Sequence, residues 1–208
     1  MWRLTRRSPG AEPAGRGCYG PPMDRRLPGA SEPVLRVATP QDATAIGALM
    51  EASIRDLFPA FYDARQTASA VVYVARPDAT LLADGTYFVL EADGGIVACG
   101  GWSRRDKLFS GAADQEERDR LLDPATEAAH VRAMFVRADW TRRGLGTRIL
   151  EACQAAARAE GFRELGLMAT LPGVLLYERF GFRRIRDVTV TMPDGVDLAC
   201  VEMDRPID

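Results

Sequence analysis

The stretch from Met134 to Leu150 constrains the fold of this chain more than any other feature of its sequence. Its apolar beginning is typical of a buried strand end, and a short turn follows at Ala138-Asp139. The run Arg142-Arg143-Gly144-Leu145-Gly146-Thr147 then opens a long amphipathic segment. The stretch therefore predicts a strand that passes through a glycine-containing turn into a helix.

Such a turn is suited to binding an anion. Glycine has no Cβ, so a ligand can come within hydrogen-bonding distance of the backbone N–H groups. The first N–H groups of a helix lack partners within the helix and carry the positive end of its dipole. Arg142 and Arg143 add full charges that suit phosphate oxygens. The sequence thus predicts a phosphate or pyrophosphate site here.

Overall composition excludes several classes of function. The formal net charge of -2 gives no reason to expect nucleic acid or an anionic membrane as a partner. No apolar run approaches the ~18 residues needed to span a bilayer, so no membrane segment is predicted. Because His130 is the single histidine, the sequence supports no metal site.

The cysteines indicate the compartment. They are widely spaced and form no C-x-x-C pair, which favours small buried hydrophobic side chains over a disulfide or zinc framework. This usage is typical of a reducing compartment and predicts a cytoplasmic protein. The four residues are Cys18, Cys99, Cys153 and Cys200.

The chain divides into a tail and one domain. Residues 1–32 are rich in arginine, proline and glycine and carry few large apolar side chains, so they are predicted to be disordered. A transit peptide or basic arm is one interpretation of the tail, and a true start at Met23 is another. Residues 33–208 are predicted to form the single folded domain.

Periodicity and turn residues predict the element order β-α-α-β-β-β-α-β-α-β-β, an α/β (α+β) fold. Its sheet would be mixed and mostly antiparallel, with helices on both faces. Predicted strands lie at Val34–Ala38, Thr86–Glu91, Ile96–Trp102, Ala129–Val136 and Glu164–Leu171, and a strand that starts at Phe182–Ile185 leads into a closing hairpin of Val188–Met192 and Val196–Met203. Predicted helices follow Thr39-Pro40, cover about Phe61–Val74, run from the glycine turn to about Glu160 and span Val174–Phe180.

Several segments allow two interpretations. Val71–Val74 could alone be a strand, and the paired Gly100-Gly101 could mark a bulge or the close approach of a ligand. The aromatic cluster Phe58, Phe61 and Tyr62 favours core over substrate pocket. Residues 103–126, with a short helix predicted at Gln115–Leu122, could be a functional loop or a solvated charged face.

Nucleotide-binding motifs fit the glycine turn poorly. A Walker loop needs G-x-x-x-x-G-K-[ST], and the chain contains no such run. A dinucleotide fingerprint needs G-x-G-x-x-G, and Ile149 stands where the third glycine belongs.

The motifs resemble those of the GNAT superfamily of acyl-CoA-dependent N-acetyltransferases. That family carries [Q/R]-x-x-G-x-[G/A] between a strand and a helix, and here Thr141 departs from the first position while Gly144 and Gly146 match. Tyr177-Glu178-Arg179-Phe180-Gly181-Phe182 looks like the family's Y-x-x-x-G-F. The resemblance covers roughly Val34 to Met203.

The resemblance implies a coenzyme site. The strand before the glycine turn would splay from its neighbour and offer main-chain groups to the pantetheine arm of acetyl-CoA. The turn would hold the pyrophosphate. The implied contacts are Met134, Phe135, Val136, Arg142, Arg143, Gly144, Leu145, Gly146 and Thr147.

The resemblance also implies direct attack of an amine on the thioester in a ternary complex. Tyr177 matches the family tyrosine that contacts the CoA sulfur and acts as general acid, and its pKa near ~10 would keep it protonated. His130 is the candidate base, with an ordinary strand histidine as the alternative. Glu127, Glu91 or a relay of waters are the other options.

The resemblance implies an acetyl-CoA-dependent N-acetyltransferase acting on an amine of a small molecule or a protein. A non-catalytic acyl-CoA-binding or regulatory module is the alternative, and a nucleotide-binding protein is the third hypothesis. Relatives commonly pair through their C-terminal strands, so a homodimer is compatible with the resemblance.

Overall fold

A seven-stranded sheet with the order β1-β2-β3-β4-β5-β7-β6 organises the chain. The computed structural model describes residues 32–106 and 120–207. Neighbouring strands are antiparallel except β4 and β5, which are parallel. The strands are β1 Val34–Val37, β2 Tyr87–Ala92, β3 Gly95–Ser103, β4 Ala129–Val136, β5 Glu164–Thr170, β6 Arg183–Thr191 and β7 Asp197–Pro206. The predicted fold class is confirmed, whereas the predicted disorder of residues 1–32 lies almost entirely outside the described residues.

Five α-helices connect the strands in the described part of the chain. They are α1 Ala43–Leu57, α2 Ala64–Tyr73, α3 Ala79–Ala83, α4 Leu145–Ala159 and α5 Val174–Phe180. The predicted order is confirmed apart from α3, which the sequence reasoning did not include. None of the described helices is long and apolar enough to cross a membrane.

Local signals define where α1 and α2 begin. The carboxylate of Asp42 accepts from the backbone N–H of Thr39 at 2.7 Å, at the predicted capping position ahead of α1. Asp63 caps α2, accepting from the N–H of Gln66 at 2.7 Å. The strand alternative at Val71–Val74 is wrong, because α2 continues through Tyr73.

The surroundings of the glycine pair in β3 show which groups approach it closely. A register irregularity lies between Cys99 and Gly101 where β3 pairs with β4, so the bulge interpretation is confirmed. A Cβ on Gly101 would lie 2.7 Å from the carbonyl oxygen of Thr86, and one on Gly100 would overlap the Met134 side chain. The space at these glycines is therefore taken by neighbouring residues of the sheet and of the helices packed on it.

The predicted C-terminal hairpin is confirmed as β6 and β7. β6 begins at Arg183, in the segment where a strand was predicted to start, and runs unbroken to Thr191 with an irregularity between Arg184 and Arg186. One displaced residue lets the strand continue beside β7, because a bulge absorbs a shift without ending the pairing. β6 is an edge strand and most of its side chains are exposed.

Helices cover both faces of the sheet, as predicted. A large apolar cluster joins α4 and α5 to one face, and it includes Trp102, Ile149 and Leu165. Two smaller clusters lie under α1 and α2 on the other face. Phe58 and Tyr62 are buried there, which supports core for them, whereas Phe61 is 52% exposed.

The charged segment after β3 is only partly described. Arg105 and Leu121 form an isolated antiparallel bridge, and the N–H of Leu122 donates to the carbonyl of Arg104 at 2.7 Å. The predicted helix at Gln115–Leu122 therefore does not reach residues 120–122, because their backbone groups pair across to the segment after β3. Its earlier part lies outside the described residues.

Candidate active site

β4 and β5 separate after a short paired segment. Within the described chain they pair at Ala129 with Leu165 and at His130 with Gly166. Beyond those positions β4 continues to Val136 beside β3, and β5 continues beside β7. The strand edges facing each other across the middle of the sheet are therefore open. A V-shaped cleft results, with its wide end at Val136.

A bulge lies at the point where the cleft opens. Ala133 has a φ of 53°, in the left-handed region, which is costly for a residue with a Cβ. The register shows one extra residue of β4 opposite Gly100 of β3. Because a bulge bends a strand and increases its twist, this one accounts for the departure of β4 from β5.

The glycine turn lies at the wide end of the cleft and leads into α4. Arg142 and Gly144 both adopt left-handed backbone angles, with φ of 63° and 78°. Among the described residues, the first main-chain hydrogen bond of α4 is donated by the N–H of Arg148 to the Gly144 carbonyl at 3.0 Å. The N–H groups from Arg142 to Thr147 have no recorded acceptor within the described chain. The turn thus presents a row of free donors, the geometry that binds an anion.

The two arginines of the turn are placed differently. Arg143 donates from Nη2 to the Asp139 carbonyl at 2.9 Å, and its guanidinium stacks 4.6 Å from the centre of the Trp140 ring. Arg142 is exposed, and no ion pair or hydrogen bond of its side chain is recorded among the described residues. Arg142 is therefore the one of the two whose charge is available to a ligand without breaking an existing contact.

Tyr177 lies on α5, in the apolar cluster that α4 and α5 share. Its ring packs edge-on against Phe182 with centroids 5.8 Å apart, and a Cβ on Gly173 would lie only 2.8 Å from the ring. Desolvation by burial, with a smaller effect of Cys153, raises the pKa of Tyr177 above the usual range. The phenol is therefore protonated at neutral pH.

His130 faces the opposite side of the sheet from Tyr177. Its neighbours Ala129 and Val131 belong to the same cluster as Tyr177, and side chains alternate along a strand. The imidazole lies over Gly166, where an added Cβ would be 3.8 Å from Cδ2. His130 is buried at the closed end of the cleft. The two predicted catalytic residues thus flank the sheet and do not meet on one face.

The two alternative carboxylates are held by arginines. Glu127 accepts from Arg120 at 2.6 Å, and this bond lowers the pKa of Glu127 to about 2. Glu91 accepts from Arg36 at 2.9 Å, on β2, two strands away from β4. A carboxylate with so low a pKa is a weak base, and Glu91 is remote from the cleft.

Two buried tyrosines, Tyr62 and Tyr87, make hydrogen bonds that the sequence did not predict. Tyr62 donates to the Ala199 carbonyl at 2.7 Å and accepts from the N–H of Leu171 at 2.9 Å, just before α5. Tyr87 lies under the bulge and contacts the Ala133 carbonyl. Their partners are main-chain groups distant in sequence, so no local pattern could have revealed them.

Other predicted features of the site can be placed. Cys99, Cys153 and Cys200 are unpaired and buried, as the cysteine spacing predicted, and Cys18 lies outside the described residues. In residues 32–106 and 120–207, no group of three or more His, Cys, Asp and Glu side chains could hold a metal ion.

Comparisons with known proteins agree with this geometry. The acetyltransferase (GNAT) domain family matches residues 83–184, which include β2 to β5, α4 and α5. No curated protein sequence matches the chain.

Solved structures share the fold at low sequence identity. A GCN5-related N-acetyltransferase from Rhodopseudomonas palustris is 22% identical with a TM-score of 0.65, over 85% of this chain and 96% of its own. The PaiA N-acetyltransferase of Thermoplasma acidophilum, in complex with coenzyme A, is 13% identical with a TM-score of 0.59, over 85% and 99%. YncA of Salmonella typhimurium, a putative acetyltransferase with its cofactor acetyl-CoA, is 16% identical with a TM-score of 0.55, over 86% and 95%.

Proposed function

Because this chain belongs to the GNAT superfamily of acetyltransferases, we propose that it transfers an acetyl group from acetyl-CoA to a primary amine. The amine would belong to a small molecule or a protein. The observation that carries the proposal is the open cleft between β4 and β5, which ends at a helix N-terminus with unpaired N–H groups. Two of the structural neighbours were solved with coenzyme A or acetyl-CoA.

The coenzyme would lie along the open edge of β4. Main-chain groups of Met134, Phe135 and Val136 would pair with the amides of the pantetheine arm, as a neighbouring strand would. The free N–H groups from Gly144 to Thr147, including those of Leu145 and Gly146, would receive the pyrophosphate. Arg142 would add a full charge there, and Arg143 would support the turn through its contacts with Trp140 and Asp139. No metal takes part in this proposal.

Acetyl transfer needs a neutral amine and a good leaving group. The amine nitrogen would attack the thioester carbonyl carbon and form a new C–N bond, while its proton leaves to a base. The C–S bond would then break, and the thiolate would take a proton from Tyr177, whose raised pKa keeps it in the acid form. A backbone N–H of β4 beyond the bulge would polarise the carbonyl oxygen.

His130 is our candidate for the base, acting through water. Its place on the face opposite Tyr177 separates acid and base across the sheet, so the amine would approach from the side of α1 and α2. Glu127 and Glu91 are less suited, because both are occupied by arginines. A relay of waters without a single base is the remaining route.

Turnover of acetyl-CoA with a panel of amines tests the proposal. We expect Tyr177→Phe to lower kcat by about 100-fold, in the usual range for a lost general acid, with little change in the Kd of CoA. We expect His130→Ala to lower kcat most at neutral and acidic pH, where the protonated amine needs a base. The loss should be smaller at alkaline pH, where more of the amine is already neutral. Tyr73→Phe, which removes a phenol hydroxyl from α2, serves as the control.

Other outcomes would favour the other hypotheses. Binding of CoA without turnover of any amine would support a non-catalytic acyl-CoA-binding module. Thermal stabilisation by ATP and not by acetyl-CoA would support a nucleotide-binding protein.

The proposal also includes the oligomeric state of the protein and its location in the cell. The exposed edge strand β6 supports a homodimer paired through the C-terminal strands, which the mass in solution would test. The unpaired Cys99, Cys153 and Cys200 support a cytoplasmic location, which microscopy of a tagged protein would test.

A further inference from the structure

The hydroxyl of Tyr87 lies directly under the bulge of β4. Tyr87 is fully buried at the start of β2, and its hydroxyl donates to the Ala133 carbonyl at 3.3 Å. The thiol of Cys99, on β3, lies 3.7 Å from the same oxygen and 3.4 Å from the phenol oxygen. Two donors from neighbouring strands therefore converge on the carbonyl of the one left-handed residue in β4.

The Ala133 carbonyl needs such a partner. A buried backbone oxygen without a donor is costly, and this one points into an apolar cluster that contains Leu49 and Val89. A left-handed alanine is also strained, so the bulge persists only if its surroundings favour it. The hydrogen bond from the hydroxyl of Tyr87 to the Ala133 carbonyl favours the bulged conformation.

The other side of the bulge is fitted to Gly100. A Cβ on Gly100 would overlap the Sδ atom of Met134 and lie 2.9 Å from Cγ2 of Ile149. The Met134 side chain thus occupies the place that a side chain at residue 100 would take. Tyr87 from one face and Gly100 from the other fix the position of the extra residue in β4.

We propose that Tyr87 is a positioning residue that holds the cleft between β4 and β5 open for the pantetheine arm of acetyl-CoA. The inference rests on the proposed function and extends it to a residue outside the cleft. Without the hydroxyl, Ala133 would relax towards the ordinary β region, and β4 would straighten alongside β5. The main-chain groups of Met134 and Val136 would then lose their fixed orientation.

Coenzyme affinity in Tyr87→Phe tests the inference. We expect the Kd of CoA, measured by calorimetry, and the KM of acetyl-CoA to rise about tenfold, the effect of losing one hydrogen bond that fixes the site. The KM of the amine should stay within twofold. Tyr62→Phe is the matched control, because it also removes a buried hydroxyl, which donates to the Ala199 carbonyl and accepts from the N–H of Leu171. It should destabilise the protein comparably and leave the Kd of CoA within twofold.

A second substitution separates positioning from general destabilisation. Glycine adopts positive φ without strain, so Ala133→Gly added to Tyr87→Phe should keep the bulge and restore most of the CoA affinity. If Tyr87→Phe does not fold, the double variant should fold and bind CoA within twofold of Ala133→Gly alone, because the glycine no longer needs the hydroxyl to keep the bulge. Overturning results are a CoA affinity unchanged by loss of the hydroxyl, or a loss that Ala133→Gly does not repair. Failure of the wild-type protein to bind CoA would instead refute the proposed function itself.

Discussion

At the scale of single residues, the two glycines of the turn have different surroundings. Gly144 has a φ of 78°, and a Cβ added there would meet nothing within 4 Å. A Cβ on Gly146 would lie 2.7 Å from Cδ2 of Leu176, so this glycine allows α4 and α5 to pack closely. Gly144 therefore permits the backbone conformation of the turn and the approach of a ligand, whereas Gly146 permits the close packing of α4 against α5.

Gly144→Ala should separate coenzyme binding from folding. We expect a stability loss of about 1 kcal/mol from the left-handed alanine and at least a tenfold rise in the Kd of CoA, because the new Cβ would stand beside the N–H groups that we propose bind the pyrophosphate. Urea unfolding and calorimetry measure the two effects. Gly94→Ala is the control, since Gly94 has a φ of 76° and equally open space in the β2–β3 turn.

Gly146→Ala should behave differently. The clash with Leu176 predicts a larger stability loss, about 1 to 3 kcal/mol, so reduced CoA binding in that variant would be harder to interpret. Equal CoA affinity in Gly144→Ala and Gly94→Ala would contradict the assignment of the turn to the pyrophosphate.

At the scale of elements, the short helix α3 is tied to β4 by a buried ion pair. Asp78 caps α3, accepting from the N–H groups of Thr80 and Leu81 at 3.1 and 3.2 Å. Its carboxylate also pairs with Arg132, and both side chains are 2% exposed. Burial lowers the pKa of Arg132, because desolvation disfavours the charged guanidinium.

Asp78→Ala should be among the most destabilising single substitutions in the domain. Removing one member of a buried ion pair leaves the other charge without compensation, which costs about 3 to 5 kcal/mol. Asp63→Ala is the matched control, because Asp63 caps α2 at the surface and its loss should cost about 1 kcal/mol. Similar denaturation midpoints for the two variants would show that the pair contributes little beyond the cap.

Elements with repeated local signals could be predicted from the sequence. α4 has apolar residues at helical spacing over 15 residues, and α5 matches the predicted Val174–Phe180. α3 could not be predicted, because five residues are too few to show a period. Its position depends on Arg132, which is far from it in sequence and is brought near only by the sheet.

At the scale of the whole molecule, ion pairs make stability depend on pH. A hydrogen bond from Arg36 holds the pKa of Asp42 far below its usual range, and Arg120 lowers the pKa of Glu127 to about 2. Groups with a lowered pKa stabilise the folded state above their unfolded pKa of about 4, and this contribution is lost as the pH falls through the folded value. The protein should therefore lose stability in acid.

We expect the urea midpoint to fall steadily between about pH 5 and pH 2. Arg36→Gln should lower the midpoint at pH 7 and flatten its dependence on pH, because Asp42 and Glu91 lose their partner. At 1 M salt the difference between variant and wild type should shrink, since these groups are partly exposed. A pH profile unchanged by the substitution would exclude this ion-pair group as a source of the acid sensitivity.

The candidate site could be predicted only where its chemistry is local. Gly144 and Tyr177 lie in short motifs, and the structure places them as a turn with open donors and a protonated phenol. The side of the sheet that His130 faces could not be read from the sequence. It depends on strand alternation and on the packing of Ala129 and Val131 in the same cluster as Tyr177, which only the folded sheet brings together.

The cleft also has a consequence for the sheet as a mechanical object. Two residue pairs between β4 and β5 join the two halves of the sheet, so the gap between these strands extends through most of its centre. A pantetheine arm bound in this gap would act as a missing strand and connect β4 to β5. Ligand binding to the folded state alone raises stability with concentration. The supply of acetyl-CoA in the cell would then help to determine how much of this protein is kept folded, in addition to feeding its reaction.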